Sequence, residues 1–473
     1  KSLSISGIER LQIDGTTQIT DLDLEQFDVI TGDQRAGPTH IEFHRQVTIE
    51  HVEFIGNPWD LLGSDDNDTF DLLASRRKFH LNAGGGDDVI IGGQKVNELS
   101  GGDGDDHVTG GPVNDWLSGG GGNDTVIGGD GNDYFLETSG GSKAFGGNGR
   151  DEFQFSDCTG EISGEEGGDT IVLKNGMFTV DGGEDSDQIN IDFRQIGQFA
   201  IASGGDGNDH FLYKGHGSDA AVTLHGGAGT DVLQLAGRDL SHLVADGVER
   251  LSLTGTDLLI GADTLGSFAG VDSLPGDYLQ IKLSAGGSFV WHSIGHQPKF
   301  STLSGSDETD KMDLSDSQCY WTVKGGGGDD VVVGGSYSNV INGGDGDDLL
   351  VGRARWDSLA GSAGNDTLVG YGRDDVFIAG AGVDYVHGEG GNDTYVFADG
   401  IGGTIVYDYG QTAGDRDTID FSRVTTIKNF HDLIVNHLKM VDHDHVLLIT
   451  FGTSEIALPG IKGGDLDDNA FIF

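Results

Sequence analysis

Acidic side chains recur in this sequence at one fixed place inside a glycine-rich hexapeptide. Six hexapeptides follow one another at nine-residue steps: AGGGDD (83–88), GGQKVN (92–97), GGDGDD (101–106), GGPVND (110–115), GGGGND (119–124) and GGDGND (128–133). Eight more keep the same step: GGGGDD (325–330), GGSYSN (334–339), GGDGDD (343–348), GRARWD (352–357), GSAGND (361–366), GYGRDD (370–375), AGAGVD (379–384) and GEGGND (388–393). The first array continues, with lapses, through GGNGRD (146–151), GEEGGD (164–169) and GGEDSD (182–187). Two wider coils, GGDGND (204–209) and GGAGTD (226–231), follow at 22-residue steps. Short carboxylates set beside exposed turn carbonyls are the oxygen donors that a hard cation takes. The same carboxylates could be read as acid–base pairs, but at the sixth place of every turn they read as turn ligands. No HExxH, GxSxG or Walker loop accompanies them, so no catalysis is expected.

Composition agrees with that chemistry. Asp and Glu total 78 against 27 Lys and Arg, a formal charge of −51, while Gly reaches 83 and Pro only 6. A surface this acidic excludes nucleic-acid binding, which needs basic residues. Hydrophobic residues at 36%, regularly placed, argue against disorder. The remaining reading is that cations neutralise the carboxylates in the native state. No apolar run is long enough to span a bilayer.

The elements that must position these turns follow from the period. The eighth place of each good unit is large and apolar: Val108, Val126, Phe135, Phe153, Ile171, Ile189, Phe211, Val332, Leu350, Leu368 and Phe377. Each unit is therefore a six-residue turn and a three-residue strand whose middle side chain points inward. Two nine-residue units make one coil, and stacked coils give two short parallel sheets around an apolar core. The expected class is all-β, a parallel β-roll or β-solenoid.

The nonapeptide G-G-x-G-x-D-x-U-x, with U apolar, resembles the RTX family of haemolysin-type calcium-binding repeats. The resemblance implies calcium between turns one coil (two units) apart, about ten ions in all. One turn gives carbonyls from its second and fourth places and its sixth-place Asp. The next gives carbonyls from its first and third places and its own Asp. Carried onto this chain, one site uses Gly102, Gly104 and Asp106 with Gly119, Gly121 and Asp124. Another uses Gly344, Gly346 and Asp348 with Gly361, Ala363 and Asp366. The same roles fall to Gly129, Gly131 and Asp133 with Gly146 and Asp151, and to Gly326, Gly328 and Asp330 with Gly343. Asp88, Asp115, Asp169, Asp187, Asp209, Asp231, Asp375, Asp384 and Asp393 complete the implied ligands. The resemblance also implies secretion by type I machinery to the extracellular space or bacterial cell surface, with toxins, adhesins and exoenzymes as typical carriers.

Not every turn fits. One side of the first roll is good at 83, 101 and 119 and fails at ETSGGS (137) and FSDCTG (155). The other side is poor at 92 and good from 110 through 182, so ions should line one edge first and then the other. In the second roll 325, 343, 361 and 379 are intact, while GGSYSN and GRARWD depart from the pattern. Asn339 and Asp357 are accordingly expected to matter less than Asp348 and Asp366.

A longer repeat lies over the short one. GIERL (7–11) recurs as GVERL (247–251), and GSDDNDTFDLL (63–73) matches GSDETDKMDLS (305–315). The expected organisation is a β-rich lead segment (1–82), a roll (83–245), a second lead segment (246–324), a second roll (325–398) and a C-terminal cap (399–473). The lead segments should continue the solenoid irregularly, with a separate small sandwich as the alternative. The cap resembles the closing segment of the secreted serralysin-type metalloproteases, without a protease domain. KNFHDLIVNHLKMV (428–441) reads as its helix, and Asp467 to Phe473 are compatible with a C-terminal secretion signal. Because the chain begins at Lys1, it is expected to be part of something longer. Cys158 and Cys319 read as free thiols used as small apolar residues. Asp442-His443-Asp444-His445 could bind a transition metal, but reads better as a solvated turn. Trp291, His292, His296 and Phe300 could form a sugar-binding ledge, but read better as ordinary packing. The favoured function is a structural and secretion module that stabilises or presents a cargo. An adhesin or surface-layer domain that binds glycans or itself comes second. A polysaccharide-modifying enzyme comes last, because the cations look too sparse and scattered to line a basic, aromatic groove.

Overall fold

The structure is a computed structural model. It describes residues 10–13, 29–32, 39–43, 46, 48–49, 53–55, 59–195, 197–215, 220–236, 239–240, 243–253, 257–260, 270–273, 278–283, 286–291, 299–353, 355–410, 416–441, 446–461, 466 and 468–473. They fall into two compact units, Lys1–Gly237 with His242–Glu249 and Arg238–Ser241 with Arg250–Phe473.

In the first unit the eighth-place side chains stack into columns. Leu81, Leu99, Leu117, Phe135, Phe153, Ile171 and Ile189 are register partners in successive parallel strands, each one coil from the last. Ile90, Val108, Val126, Ala144, Ile162 and Val180 form the opposite column at the same step. The step then widens, as Ile189 pairs with Phe211 and Phe211 with Leu233. All of these side chains are buried, and each apart from Ala144 contributes about 1.5–3 kcal/mol relative to exposure. Where the turns fail at 155, no loop is made. The strands Glu152–Glu166 and Thr170–Glu184 run through that corner unbroken.

The second unit repeats the design. Ile281, Leu303, Val323, Ile341, Leu359, Phe377, Tyr395 and Ile419 form one column. Phe289, Met312, Val332, Leu350, Leu368, Val386 and Val406 form the other. Much of each lead segment lies outside the described residues. The described strands, such as Trp59–Leu62 and Tyr278–Leu283, stack in parallel on the strand that follows and so continue the coil.

The parallel ladder ends in the last residues. Ser454–Pro459 pairs in parallel with Gly403–Val406, and Val446–Phe451 and Leu438–Val441 then add antiparallel. The helix expected over 428–441 is shorter than its pattern. Asn429 caps Phe430–Asp432 by accepting from the Asp432 N–H at 2.9 Å, and Leu433–His437 continues as a wider π turn. From Leu438 onward, pairing with Ile449 and Leu447 wins, and the open edge of Val446–Phe451 is taken up by one more antiparallel strand.

Candidate metal centres

The sixth-place carboxylates form files along the coils. Each backbone N–H of one Asp donates to Oδ1 of the Asp one coil further on, at 2.8 Å for Asp88 to Asp106 and 2.9 Å for Asp348 to Asp366. One file of the first unit runs Asp68, Asp88, Asp106, Asp124. The other runs Asn97, Asp115, Asp133, Asp151, Asp169, Asp187, Asp209, Asp231. In the second unit the files are Asp310, Asp330, Asp348, Asp366, Asp384 and Asn339, Asp357, Asp375, Asp393, Asp417.

This bonding uses only one oxygen of each carboxylate. In Asp88, Asp106, Asp115, Asp133, Asp151, Asp169, Asp187, Asp209, Asp231, Asp330, Asp348, Asp357, Asp366, Asp375 and Asp384 the buried Oδ2 has no hydrogen-bond donor. In most of these turns it folds back over the first glycine, and in several a carbonyl from the next coil also arrives there. A Cβ on Gly325 would overlap both Asp330 Oδ2 and the Gly343 carbonyl, and one on Gly361 both Asp366 Oδ2 and the Ala379 carbonyl. Gly128 stands in the same way under Asp133 Oδ2 and the Gly146 carbonyl. At Gly128, Gly325 and Gly361 a side chain would have no room, whereas Ala83 and Ala379 hold the first place of their own turns. The second- and fourth-place glycines are needed for conformation as well: Gly344 and Gly346 have φ of 120° and 129°. Their α-carbons also face the carbonyls of Gly326 and Gly328 one coil before. Of the third-place carbonyls, those of Gly121 and Ala363 accept N–H groups from Gly104 and Gly346, each keeping a lone pair.

Buried oxygens that face each other without a proton or cation are electrostatically unfavourable. Burial first, and neighbouring carboxylates second, push Asp133, Asp169 and Asp375 up to about 8. Burial likewise lifts Asp88, Asp187, Asp330 and Asp366 to about 7 and Asp106 and Asp348 to about 6, with repulsion from nearby carboxylates adding to it. An all-oxygen donor set of carboxylate and carbonyl groups suits a calcium-sized hard cation.

Comparison with known proteins agrees. The family model for the RTX calcium-binding nonapeptide repeat (four copies) matches residues 82–117, 109–136, 215–236, 324–354 and 357–395. The chain carries RTX calcium-binding repeats. Among solved structures it is similar to the extracellular lipase LipA from Serratia marcescens, with 15% identity and a TM-score of 0.22. That likeness covers 72% of this chain and 45% of the lipase chain, and at this score it carries no argument. A search of the curated proteins finds no match.

The RTX rows begin and end on side chains that the repeat pattern does not mark. In the second unit the Asn339 amide nitrogen lies 2.7 Å from the Tyr337 carbonyl and 3.3 Å from those of Gly335 and Gly352. It is also 2.9 Å from Asp357 Oδ1. These acceptors hold the second and fourth places of one turn and the first and sixth of the next, places the family resemblance assigns to metal ligands. A fixed N–H donor thus stands among them. Asn97 bonds similarly to Asp115 Oδ1 at 3.0 Å and the Gly93 carbonyl at 3.4 Å. The companion rows open on serine: Ser64 and Ser306 each turn a backbone N–H and a hydroxyl onto Oδ2 of Asp68 and Asp310. Asn339 and Asp357 are both buried, so the departures from the pattern carry structural weight that their spelling hides.

Row ends use carboxylates instead. Glu137 accepts from the N–H groups of Gly119 and Gly120 at 2.5 and 3.2 Å and is lifted to about 7, mainly by burial. Asp408 does the same for Gly388 and Glu389 at 3.1 and 2.5 Å.

The other sequence candidates fall elsewhere. Trp291 is buried edge-on against Trp321 at 5.2 Å, as ordinary packing, and Phe300 is exposed. His292, His296 and residues 442–445 lie outside the described residues. Cys158 and Cys319 are buried free thiols, and burial pushes Cys158 up to about 12. Thiol titration of the denatured, unreduced protein should count two groups, and a count near zero in the monomer would contradict this.

Proposed function

We propose that this chain is the calcium-binding RTX module of a larger secreted protein, folding when calcium fills its turns outside the cell and stabilising or presenting a cargo. The observation that carries the reading is the set of buried Oδ2 atoms without donors, with those of Asp133, Asp330 and Asp366 lying beside the Gly146, Gly343 and Ala379 carbonyls of the neighbouring coil. The ligand sets are those implied by the repeat: Gly102, Gly104, Asp106, Gly119, Gly121 and Asp124, and Gly344, Gly346, Asp348, Gly361, Ala363 and Asp366. Asp88, Asp115, Asp133, Asp151, Asp169, Asp187, Asp209, Asp231, Asp330, Asp375, Asp384 and Asp393 act likewise along the files. Glu137 and Asp408 close rows, and the final antiparallel strands would shield the end of the second roll. Export by type I machinery suits a chain that stays open where calcium is scarce.

The test is calorimetric titration of calcium into the protein and its variants. Asp348→Ala with Asp366→Ala should remove ions from the file between 325 and 384 and weaken the second roll. Asn339→Ala should leave the number of ions unchanged and lower stability by about 1–3 kcal/mol, the cost of leaving buried acceptors unpaired. Equal stoichiometry in the Asp348/Asp366 double variant and the parent would refute the assignment.

A further inference from the structure

Three arginines of the second unit cluster. Two turns of one row, GRARWD (352–357) and GYGRDD (370–375), supply Arg353, Arg355, Tyr371 and Arg373 to one patch. A depression of about 680 Å³ is lined by Tyr320, Arg355, Trp356 and Arg373, and Arg373 also lines an adjoining one with Arg353 and Tyr371. Trp356 is 68% exposed and Tyr371 56%. Arg355 lies 4.9 Å above the Tyr337 ring, and Tyr320 is steadied edge-on by the same ring at 5.2 Å. Among the described residues none of the three arginines is ion-paired, although the chain is densely acidic.

The backbone gives a second, independent observation. Arg353, Tyr371 and Arg373 hold φ of 101°, 77° and 89°, in the left-handed region. The matching places in the opposite row are filled by Gly344, Gly346, Gly364, Gly380 and Gly382, with φ of 113° to 145°, and by Ser362 at 87°. Glycine would adopt these angles without strain, so folding alone favours glycine here. Among the described residues nine non-glycine residues hold positive φ, and the three largest of the second unit, Arg353, Tyr371 and Arg373, all line this patch.

We propose that this patch binds a carboxylate-bearing sugar chain, a uronate oligosaccharide. The exposed faces of Trp356, Tyr320 and Tyr371 offer flat apolar ledges to the C–H faces of sugar rings. The guanidinium groups of Arg355, Arg373 and Arg353 take the ring carboxylates, which they match in shape and charge. The overall negative charge does not forbid this, because at physiological salt the screening length is about 8 Å and the ligand senses the patch beneath it. A nucleic acid would instead need an extended basic track, and the same two turns carry Asp357, Asp374 and Asp375.

The binding needs a folded roll and so is tested on the full chain in millimolar calcium. An oligogalacturonate and its methyl ester are titrated into the parent, an Arg355→Ala/Arg373→Ala variant and an Arg353→Gly/Tyr371→Gly variant. The uronate should bind at least tenfold more weakly to both variants, and the ester at least tenfold more weakly to the parent. The glycine variant should melt at or above the parent temperature, since it relieves two strained residues. Binding that survives in both variants would place the carboxylates on calcium elsewhere and overturn the proposal. So would equal affinity for the ester or for a single-stranded oligonucleotide, or a lower melting temperature in the glycine variant.

Discussion

Excess chelator is expected to convert the folded chain into an expanded one with little β-structure, and millimolar calcium to restore it. Extracellular calcium modules bind with a Kd of about 10⁻⁴ to 10⁻³ M. At about 1 mM calcium each site then adds roughly 0.4–1.4 kcal/mol by mass action, and almost nothing at cytosolic levels. About ten such sites supply roughly 4–14 kcal/mol, the entire stability of a typical domain. Removal of the ion also leaves the files of Oδ2 atoms facing carbonyls and one another inside the roll. Circular dichroism and sedimentation, first in chelator and then in calcium, measure the change. A compact, β-rich species that persists in chelator would defeat the proposal.

Acid should do part of the work of calcium. In the metal-free fold burial raises many of the file carboxyls, Asp348 to about 6, Asp330 to about 7 and Asp375 to about 8. In the unfolded chain they titrate at about 4. Between these values the folded form binds more protons, so its stability is fully gained below about pH 4 and is lost as pH rises through 6 to 8. A proton on Oδ2 supplies the donor that the facing carbonyl lacks. In chelator, lowering the pH from 8 to 5 should therefore shift the chain towards the β-roll, the reverse of ordinary acid denaturation. A denaturation midpoint that falls over that range would count against the raised carboxyl values.

The columns of Val108, Val126, Leu350 and Leu368 were legible because one nine-residue period fixes both the turn and the inward side chain. The wider step at Phe211 and Leu233 was legible for the same reason. Asn97 and Asn339 were not. A residue that replaces the pattern's Asp looks like decay, and its amide finds its acceptors only once successive coils are stacked. Glu137 was hidden in the same way inside ETSGGS, a turn that spells failure yet closes a row. The arginine patch was missed because Arg353 and Tyr371, distant in sequence, become register partners through the coil step. The segment 428–441 kept the composition of a helix, and antiparallel pairing with the following strand decided its last four residues.

The two-sided coil also governs how such a chain can change length over generations. A gain or loss of one whole coil delivers every later turn to the file it left, as the unbroken register from Leu99 to Leu117 to Phe135 shows. A change of a single unit would send each later turn to the opposite file, setting Asn97-type openings against carboxylates and placing Glu137 in mid-row. Viable relatives should therefore differ by whole coils. Recombination between similar repeats can lengthen or shorten a roll in one step without breaking it. A one-unit slip, though it preserves every motif in the sequence, should be purged.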